Sequence, residues 1–210
     1  MNSVMSVNSD DGDIVHSARW SGRPFVDTSY YTIRIENWAG NKVSGVELVH
    51  HKMYLLNNPT GIDNFSISDG YNMIFYNVGK RNEDNLISKF GIGIIWAHPD
   101  ITLTGRDRFW NSGGVSGFYF SGVALQASLE RWFYETTHHV FTVEGKLTAG
   151  YARLRISEDD SEFADVPHIA AHLTFGLGSK PLKTKTVKSV SHYILTPSAY
   201  LFSGFALASQ

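Results

Sequence analysis

The fold is decided by the stretch GVALQASLE, residues Gly122–Glu130, in which apolar and polar or small side chains alternate. Side chains along a β-strand point to opposite faces in turn, so Leu125 and Leu129 share one face while Gln126 lies on the other. A period of two over nine residues predicts a strand rather than a helix, whose apolar positions recur every three or four residues. This strand serves as the reference for the rest of the chain.

The same alternation recurs along most of the chain, interrupted by clusters of turn-forming residues. Segments rich in Gly, Asn, Asp, Pro or charge are predicted to be loops at 57–70, 80–85, 104–117 and 157–162. We predict seven strands: Tyr30–Trp38, Val43–Leu56, Tyr71–Gly79, Ser88–Leu103 with a bend at Pro99, Phe118–Tyr134, Val140–Ile156 and Ile169–Gly178.

The composition excludes several classes of protein. The chain has 210 residues, of which 13% are aromatic and 18% charged, and it contains no cysteine. Without cysteine there is neither a disulfide scaffold nor a cysteine zinc site. Five Trp, ten Tyr and thirteen Phe residues argue against disorder. A net charge of -2 argues against a nucleic-acid partner.

The two faces of the predicted strands favour a membrane barrel. The polar faces consist mainly of Gly, Ala, Ser and Thr with few charges, which suits the inside of a narrow barrel better than a solvated surface. Several runs also exceed the roughly 3–10 residues of ordinary strands. We therefore predict an all-β, up-and-down antiparallel transmembrane β-barrel of about eight strands. Its outward, lipid-facing residues include Leu125, Leu129, Leu147, Leu173 and Phe175.

The inward faces carry a set of polar residues on neighbouring strands. Charges inside a barrel must be paired, so we expect a network that plugs the lumen. The predicted lumen residues are Arg34, Glu36, Glu47, Gln126, Glu130, Glu144, Lys146 and His172. A polar path or small-ligand site, and catalysis by Glu144 with His172, are the less favoured alternatives.

Other chemistry has little support in the sequence. The nine histidines include neither an HxH pair nor an HExxH motif, so we predict no metal site, no cofactor and no catalytic residue. A serine hydrolase built on Ser121 or Ser128 lacks a recognisable motif. The loops at 57–68 and 104–116 are candidate contacts for partners, and in the second we single out Arg106, Arg108 and Trp110.

An ordered series of segments resembles a poorly characterised family of bacterial outer-membrane β-barrel proteins. The series consists of ELVHHKMYLLNNP (47–59), SDGYNMIFYN (68–77), IIWAHP (94–99), FSGVALQASLERWFY (120–134), VEGKLTAGYARLRI (143–156) and ADVPHIAAHLTFGLG (164–178). The resemblance spans roughly residues 14–178 and implies an eight-stranded barrel in the outer membrane of a Gram-negative cell. It implies no established activity. Members of that family carry a first strand upstream of the part matching Ile14 and end near Gly178, and this chain departs from both features.

These observations define the expected organisation. We divide the chain into a polar N-terminal segment (1–28), barrel strands (29–178), and a basic linker with an apolar tail (179–210). Bacterial barrels have even strand numbers, so we hypothesise that residues 191–208 supply an eighth strand closing against the first. Residues 1–13 lack the basic and apolar regions of a signal peptide. Either the start of the gene is misplaced, or the chain is truncated, or the membrane prediction is wrong.

The predicted function is a monomeric outer-membrane barrel with a structural or binding role and a plugged lumen. Its expected partner is outer-membrane lipid or lipopolysaccharide. The alternatives are a lipid-modifying outer-membrane enzyme on the same scaffold and a soluble β-barrel that encloses an apolar ligand. The direction of the leucine faces distinguishes the soluble barrel from the other two.

Overall fold

The structure, a computed structural model, describes residues 2–23, 30–110, 117–158, 161–179 and 190–196. These residues form strands and connecting turns, without a helix among them. The described residues contain no helix that is long and apolar enough to span a membrane. The strands are β1 (Asn2–Asn8), β2 (Ile14–Ser21), β3 (Tyr31–Ala39), β4 (Lys42–Leu55), β5 (Ile62–Arg81), β6 (Leu86–Ala97), β7 (Asp100–Leu103), β8 (Phe109–Trp110), β9 (Tyr119–Glu135), β10 (His139–Arg155), β11 (Phe163–Ser179) and β12 (Val190–Thr196).

Eight of these strands form an antiparallel sheet that closes partly into a ring. The order around the ring is β3, β4, β5, β6, β9, β10, β11 and β12, with β12 returning to β3. The ladders differ greatly in length. β10 pairs with β11 along its whole length, whereas the described residues of β11 and β12 pair at Ser179 and Tyr193. The expectation of an all-β antiparallel sheet with about eight barrel strands is confirmed.

The two ends of the ring differ in their connections. Short turns at 40–41, 82–85 and 136–138 define one end, which we call the turn end. Gly40 makes the tightest of these turns possible, because its φ of 62° lies in the left-handed region that glycine adopts without steric cost. The opposite end, the loop end, holds the longer connections that follow β4, β6 and β10.

The loop end is thickened by strands outside the ring. β1 and β2 form a hairpin that joins the ring at two places, β1 beside β11 and β2 beside the last two residues of β4. β7 pairs with the start of β5, and β8 pairs with β7. These four strands extend the same sheet at the loop end.

The interior changes character from one end to the other. Near the loop end it is an apolar core, in which Trp20, Met53, Phe65 and Tyr71 are buried. Near the turn end the interior is filled with charged and polar side chains. The exterior is apolar where the interior is charged. Around the charged zone, the outward positions of the ring strands carry exposed apolar residues.

The outward direction of the five chosen side chains agrees with the prediction. Leu125, Leu129 and Leu147 are 50%, 55% and 59% exposed, and Leu173 and Phe175 are 36% and 43% exposed. The soluble alternative required these residues to fill the interior. Leu125 and Leu147 instead belong to an apolar belt of exposed side chains on seven of the eight ring strands.

Several segment boundaries differ from the predictions. The expected loop at 57–70 is largely strand, because β5 begins at Ile62 and packs Phe65 and Ile67 into the core. The segment 1–28, expected to be polar and outside the barrel, contains β1 and β2, which bury Met5 and Trp20. Short apolar stretches spaced by serine were too weak a signal to predict these strands.

The remaining differences are smaller. The run Ser88–Leu103 divides at Pro99 into β6 and β7, close to the predicted bend. β11 begins at Phe163 rather than Ile169. The predicted loop at 104–117 contains the two-residue β8, and its residues 111–116 lie outside the described part. Within the hypothesised closing strand 191–208, β12 pairs with β3, and residues 197–208 lie outside the described part.

Candidate functional site: a charged network in the barrel lumen

All eight polar residues predicted to face the lumen are buried in the structure. They come from five ring strands: Arg34 and Glu36 from β3, Glu47 from β4, Gln126 and Glu130 from β9, Glu144 and Lys146 from β10, and His172 from β11. Each lies on the face opposite to the exposed apolar residues of its strand, as the alternation requires. Seven of them contact one another directly, and His172 lies at the edge of the group.

Arg34 is at the centre of this network. Its guanidinium nitrogens lie 2.9 Å from Glu36, 2.7 Å from Glu130 and 3.0 Å from Glu144. Glu130 and Glu144 belong to β9 and β10, on the far side of the ring from β3. A guanidinium carries several N–H donors in one plane, so it can bind carboxylates from different strands at once. Arg34 therefore connects the two sides of the lumen.

One of the three cations in the network was not predicted. Lys89 of β6 is buried, and its Nζ lies 3.3 Å from Glu36 and 3.1 Å from Glu144, and it also binds Glu130. The alternation contains the signal that identifies it. Lys89 shares the face of Gly91 and Gly93, opposite to the exposed Phe90. If the alternation of β6 is followed from Gly93 and Gly91 towards the turn end, the next inward residue is Lys89.

The network continues towards β4 and β5 through Glu47. Lys146 and Gln126 both donate to this carboxylate, Gln126 over 2.6 Å, and Asn77 donates to it over 2.8 Å. Gln126 also donates to the side-chain oxygen of Asn77. β4 and β10 lie on opposite sides of the ring, so the ion pair of Glu47 with Lys146 is a second connection across the lumen.

The charges in the network nearly balance. Four buried glutamates face three buried cations, which leaves a net charge of -1. Burying an unpaired charge in a medium of low dielectric costs several kcal/mol, so each member depends on its partners for stability. Every carboxylate of the network is paired with at least one cation.

Two tryptophans close the network at the turn end. Trp38 and Trp132 are in edge-to-face contact at 5.2 Å, and their indole nitrogens donate to Glu36 and Glu130 over 3.2 and 2.7 Å. The guanidinium of Arg81 lies 3.7 Å from the ring centre of Trp132. Such cation–π contacts are favourable when the cation lies over the face of an indole. The lumen is thus covered by aromatic rings at this end and by the apolar core at the other.

His172 belongs to a cluster of buried rings between the charged network and the apolar core. Its Nε2 lies 2.9 Å from the hydroxyl of Thr148. The ring of His51 lies 5.6 Å from that of His172 and 5.4 Å from that of His168, and Tyr71 is in edge contact with His168. The sequence did not predict this cluster, because His51, His168 and Tyr71 come from three separate strands. Within the described residues, no three or more histidine, aspartate or glutamate side chains are arranged to hold a metal ion.

The serines considered as nucleophiles have other partners. Ser128 donates to Glu144 over 2.7 Å and so belongs to the charged network. Ser121 donates to the backbone carbonyl of Tyr119. In a serine hydrolase the hydroxyl donates to an imidazole that accepts its proton. The contacts of Ser121 and Ser128 are those of structural hydroxyl groups.

The three residues proposed for surface contacts lie at the loop end in two separate groups. Arg106 binds Asp11 over 2.7 Å and Glu162 over 2.7 Å, so it ties the β1–β2 turn to the segment before β11. Hydrogen bonds from Ser157, the Asp10 backbone and Arg106 hold the pKa of Glu162 below its usual value. Arg106 is therefore engaged in holding loops together.

Arg108 and Trp110 form the second group. The guanidinium of Arg108 binds both oxygens of Asp100, over 2.6 and 2.8 Å, and lies 4.8 Å from the ring centre of Trp110. Trp110 is exposed and packs against His98 at 4.5 Å. Arg108 and Trp110 therefore both present part of their side chains to the surface.

Comparison with known proteins adds no relative to this description. No protein-family model matches the chain, and no match was found among the curated proteins or the solved structures. The resemblance to an outer-membrane barrel family therefore stays a prediction made from the sequence.

Proposed function

We propose that the chain is a small outer-membrane β-barrel with a structural or binding role, whose lumen is plugged by polar side chains. The observation that carries the proposal is the inverted polarity of the turn-end half. Its interior holds Arg34, Lys89 and four glutamates, while its exterior carries a belt of exposed apolar residues such as Leu125 and Ile92. In water the opposite arrangement is the stable one, because apolar burial drives folding.

The apolar belt is far larger than the isolated apolar residues that soluble proteins expose. Seven of the eight ring strands carry exposed apolar residues at outward positions. These residues are Ile33, Ile35, Val46, Tyr76, Val78, Phe90, Ile92, Ile94, Val123, Leu125, Leu129, Leu147, Ile169, Leu173, Phe175 and Leu177. Contiguous exposed patches of this kind mark contact with a membrane or another protein. Because the belt continues from strand to strand, surrounding lipid is the partner that fits it best.

Exposed aromatic side chains lie towards both ends of the belt as well as within it, where Tyr76, Phe90 and Phe175 are exposed. Phe133, Tyr134 and Phe141 lie near the turn end, and Phe120 and Trp110 lie near the loop end. Amphipathic rings favour the depth of lipid headgroups, and two such girdles flank the apolar zone of outer-membrane barrels. The aromatic rings at the two ends of the belt support the proposal that the zone between them crosses a bilayer.

The proposed role is not that of a wide pore. The charged network connects opposite strands, and the two tryptophans and the apolar core lie on either side of it. A binding role is supported by the loop end, where Trp110 and Arg108 are exposed. Lipopolysaccharide offers sugars and phosphates that such a pair can contact.

The test places single cysteines in the cysteine-free chain. Full-length Leu129→Cys protein labelled with a fluorophore and folded into phospholipid vesicles should be quenched by brominated acyl chains. A label at Glu83→Cys, in an exposed turn, is the matched control and should be quenched by aqueous iodide instead. Quenching of the Leu129 label by iodide alone would contradict membrane insertion.

The enzyme alternative has a separate test. Lipid A from outer membranes of cells with and without the full chain is compared by mass spectrometry. We expect identical spectra, because Ser121 and Ser128 do not contact an imidazole in the ways a hydrolase requires. A mass change equal to a lost or gained acyl chain would favour the lipid-modifying enzyme.

A further inference from the structure

A groove crosses the outer surface of the ring from β4 to β10, and its volume is about 770 Å³. It lies between two rows of outward side chains, each held in register by the pairing of the strands. The row nearer the loop end consists of Ile74, Ile94, Val123 and Tyr151. The row nearer the turn end consists of Val46, Tyr76, Ile92, Leu125 and Ala149. These two rows are the walls of the groove.

The floor of the groove is backbone. It runs through Phe75, Gly93, Ala124 and Gly150, which lie opposite one another at the inward positions between the two walls. The wall nearer the turn end is low at Ala149, because a methyl group stands there where the other strands carry longer side chains. The groove is therefore a depression in the apolar belt.

The chemistry of the groove favours a hydrocarbon occupant. None of the described residues that line it is charged. Val123 and Ile92, one from each wall, are 60% and 59% exposed. A phosphate or a sugar would lose hydrogen bonds to water in such a place without gaining new ones. A hydrocarbon chain has no hydrogen bonds to lose, so it is the class of ligand that fits these walls.

A charged pair lies just beyond the β10 end of the groove. Arg153 is the next outward residue after Tyr151 towards the loop end, and its side chain is exposed. Its guanidinium binds both oxygens of Asp165 over 2.9 Å. Arginine has five N–H donors, more than this carboxylate accepts, so donors remain for a phosphate oxygen. The sequence of apolar groove, tyrosine and guanidinium matches the order of acyl chain, interface and headgroup in a phospholipid.

The length and slope of the groove fit one acyl chain. The groove crosses β4, β5, β6, β9 and β10. Neighbouring strands lie about 4.8 Å apart, so these five strands give a length of about 19 Å. Strands of membrane barrels tilt by about 45°, and a groove at right angles to them is inclined equally. It therefore descends by about 14 Å, close to half of the roughly 30 Å hydrocarbon core of a bilayer.

We propose that this groove binds one acyl chain of a glycerophospholipid, with the headgroup beside Arg153. The inference rests on the proposed function, because it requires that the apolar belt faces lipid. A chain in the groove contacts both walls and the floor, whereas a chain on a flat part of the belt contacts protein on one side. Each atomic contact contributes little, but their sum favours the groove.

Photocrosslinking in vesicles tests the site. The full-length protein is folded into phosphatidylcholine vesicles that contain a small fraction of phosphatidylcholine with a diazirine in one acyl chain. After irradiation the protein is digested, and the adducts are located by mass spectrometry. We expect residues 92–94 and 123–125 to carry several-fold more adducts than Ile35 of β3 and Leu173 of β11, which belong to the belt but do not line the groove.

Two matched variants separate the shape of the groove from its exposure. Ala149→Phe fills the groove with a ring and should lower the adducts at 92–94 and 123–125 to the level of Ile35 and Leu173. Ala127→Phe makes the same change at an exposed outward alanine of β9 that does not line the groove, and it should leave the adducts unchanged. In both variants the adducts at Ile35 and Leu173 report that the barrel is inserted.

Equal labelling around the belt, or an equal effect of the two variants, would overturn the acyl-chain site and leave membrane insertion standing. Labelling of the groove below the level of Ile35 and Leu173 would also overturn it, because another molecule, such as a second copy of the chain, would then cover the groove. A lack of adducts on the whole chain would contradict the proposed function itself, and this inference with it.

Discussion

Arg34 of β3 and Glu130 of β9 meet in the middle of the barrel, with 2.7 Å between the guanidinium Nη2 and the carboxylate Oε2. The two strands are four positions apart in a ring of eight, so this contact spans the lumen. Both side chains are buried. The ion pair accordingly holds opposite walls of the barrel together.

Removing the cation at the centre of the network should destabilise the fold strongly. We expect Arg34→Ala to lower the free energy of unfolding by about 3–5 kcal/mol, because it leaves buried carboxylates without their shared partner. Urea titration of the folded protein, followed by tryptophan fluorescence, measures the change. Arg153→Ala is the control, since Arg153 also binds a carboxylate, Asp165, but is exposed. The prediction fails if the two variants lose equal stability.

The lumen should remain closed when only one layer of the plug is removed. We expect the double variant Glu47→Ala, Lys146→Ala to conduct no more ions than the wild-type chain in planar bilayers. The reason is that the Trp38–Trp132 pair and the apolar core around Phe65 still cover the two ends of the charged zone. A stepwise current in the double variant, absent in the wild type, would show that the network alone is the barrier.

A charge introduced into the apolar belt should destabilise the folded protein in a bilayer more than a charge introduced at the loop end. In a bilayer, Leu147→Arg should cost about 2–4 kcal/mol, as arginine does on the lipid face near the midplane. Val15→Arg, at an outward and highly exposed position of β2, should have little effect. The measurement is the folded fraction in vesicles across a denaturant series. Equal tolerance of both substitutions would contradict a lipid-facing belt.

Acid should loosen the β1–β2 hairpin through Glu162. The pKa of this carboxyl is lowered in the folded chain by hydrogen bonds from Ser157, the Asp10 backbone and Arg106. A carboxyl whose pKa is lowered by folding stabilises the fold at any pH above the pKa that it has in the unfolded chain. This stabilisation is lost as the pH falls through the lower pKa that it has in the folded chain. We therefore expect protease cleavage of the hairpin to increase below about pH 4.

The control for this prediction is a carboxyl without such partners. Glu162→Gln should expose the hairpin at neutral pH and flatten the acid response, whereas Glu83→Gln, in an exposed turn, should leave both unchanged. Limited proteolysis at several pH values, with cleavage sites identified by mass spectrometry, provides the readout. If cleavage of the Glu162→Gln variant still increases in acid, the Glu162 carboxyl is not the cause of the response.

The sequence by itself determined which residues share a face. Because side chains alternate along a strand, the pattern around Gln126 and Lys146 separated the buried polar positions from the exposed Leu125 and Leu147 without any knowledge of neighbouring strands. The same rule places Lys89 inside, although the network was predicted without it. Local periodicity therefore sufficed for the all-β class and for the eight polar residues of the lumen.

Only the tertiary structure decided which faces meet and how the ends are built. Arg34 contacts Glu130 because β3 and β9 lie on opposite sides of the ring, an arrangement set by pairing between residues distant in the chain. Strands β1 and β2, the early start of β5 and the ring cluster of His51 likewise depend on non-local packing. Alternation describes one strand at a time, whereas burial depends on what the neighbouring strands bring to the same place.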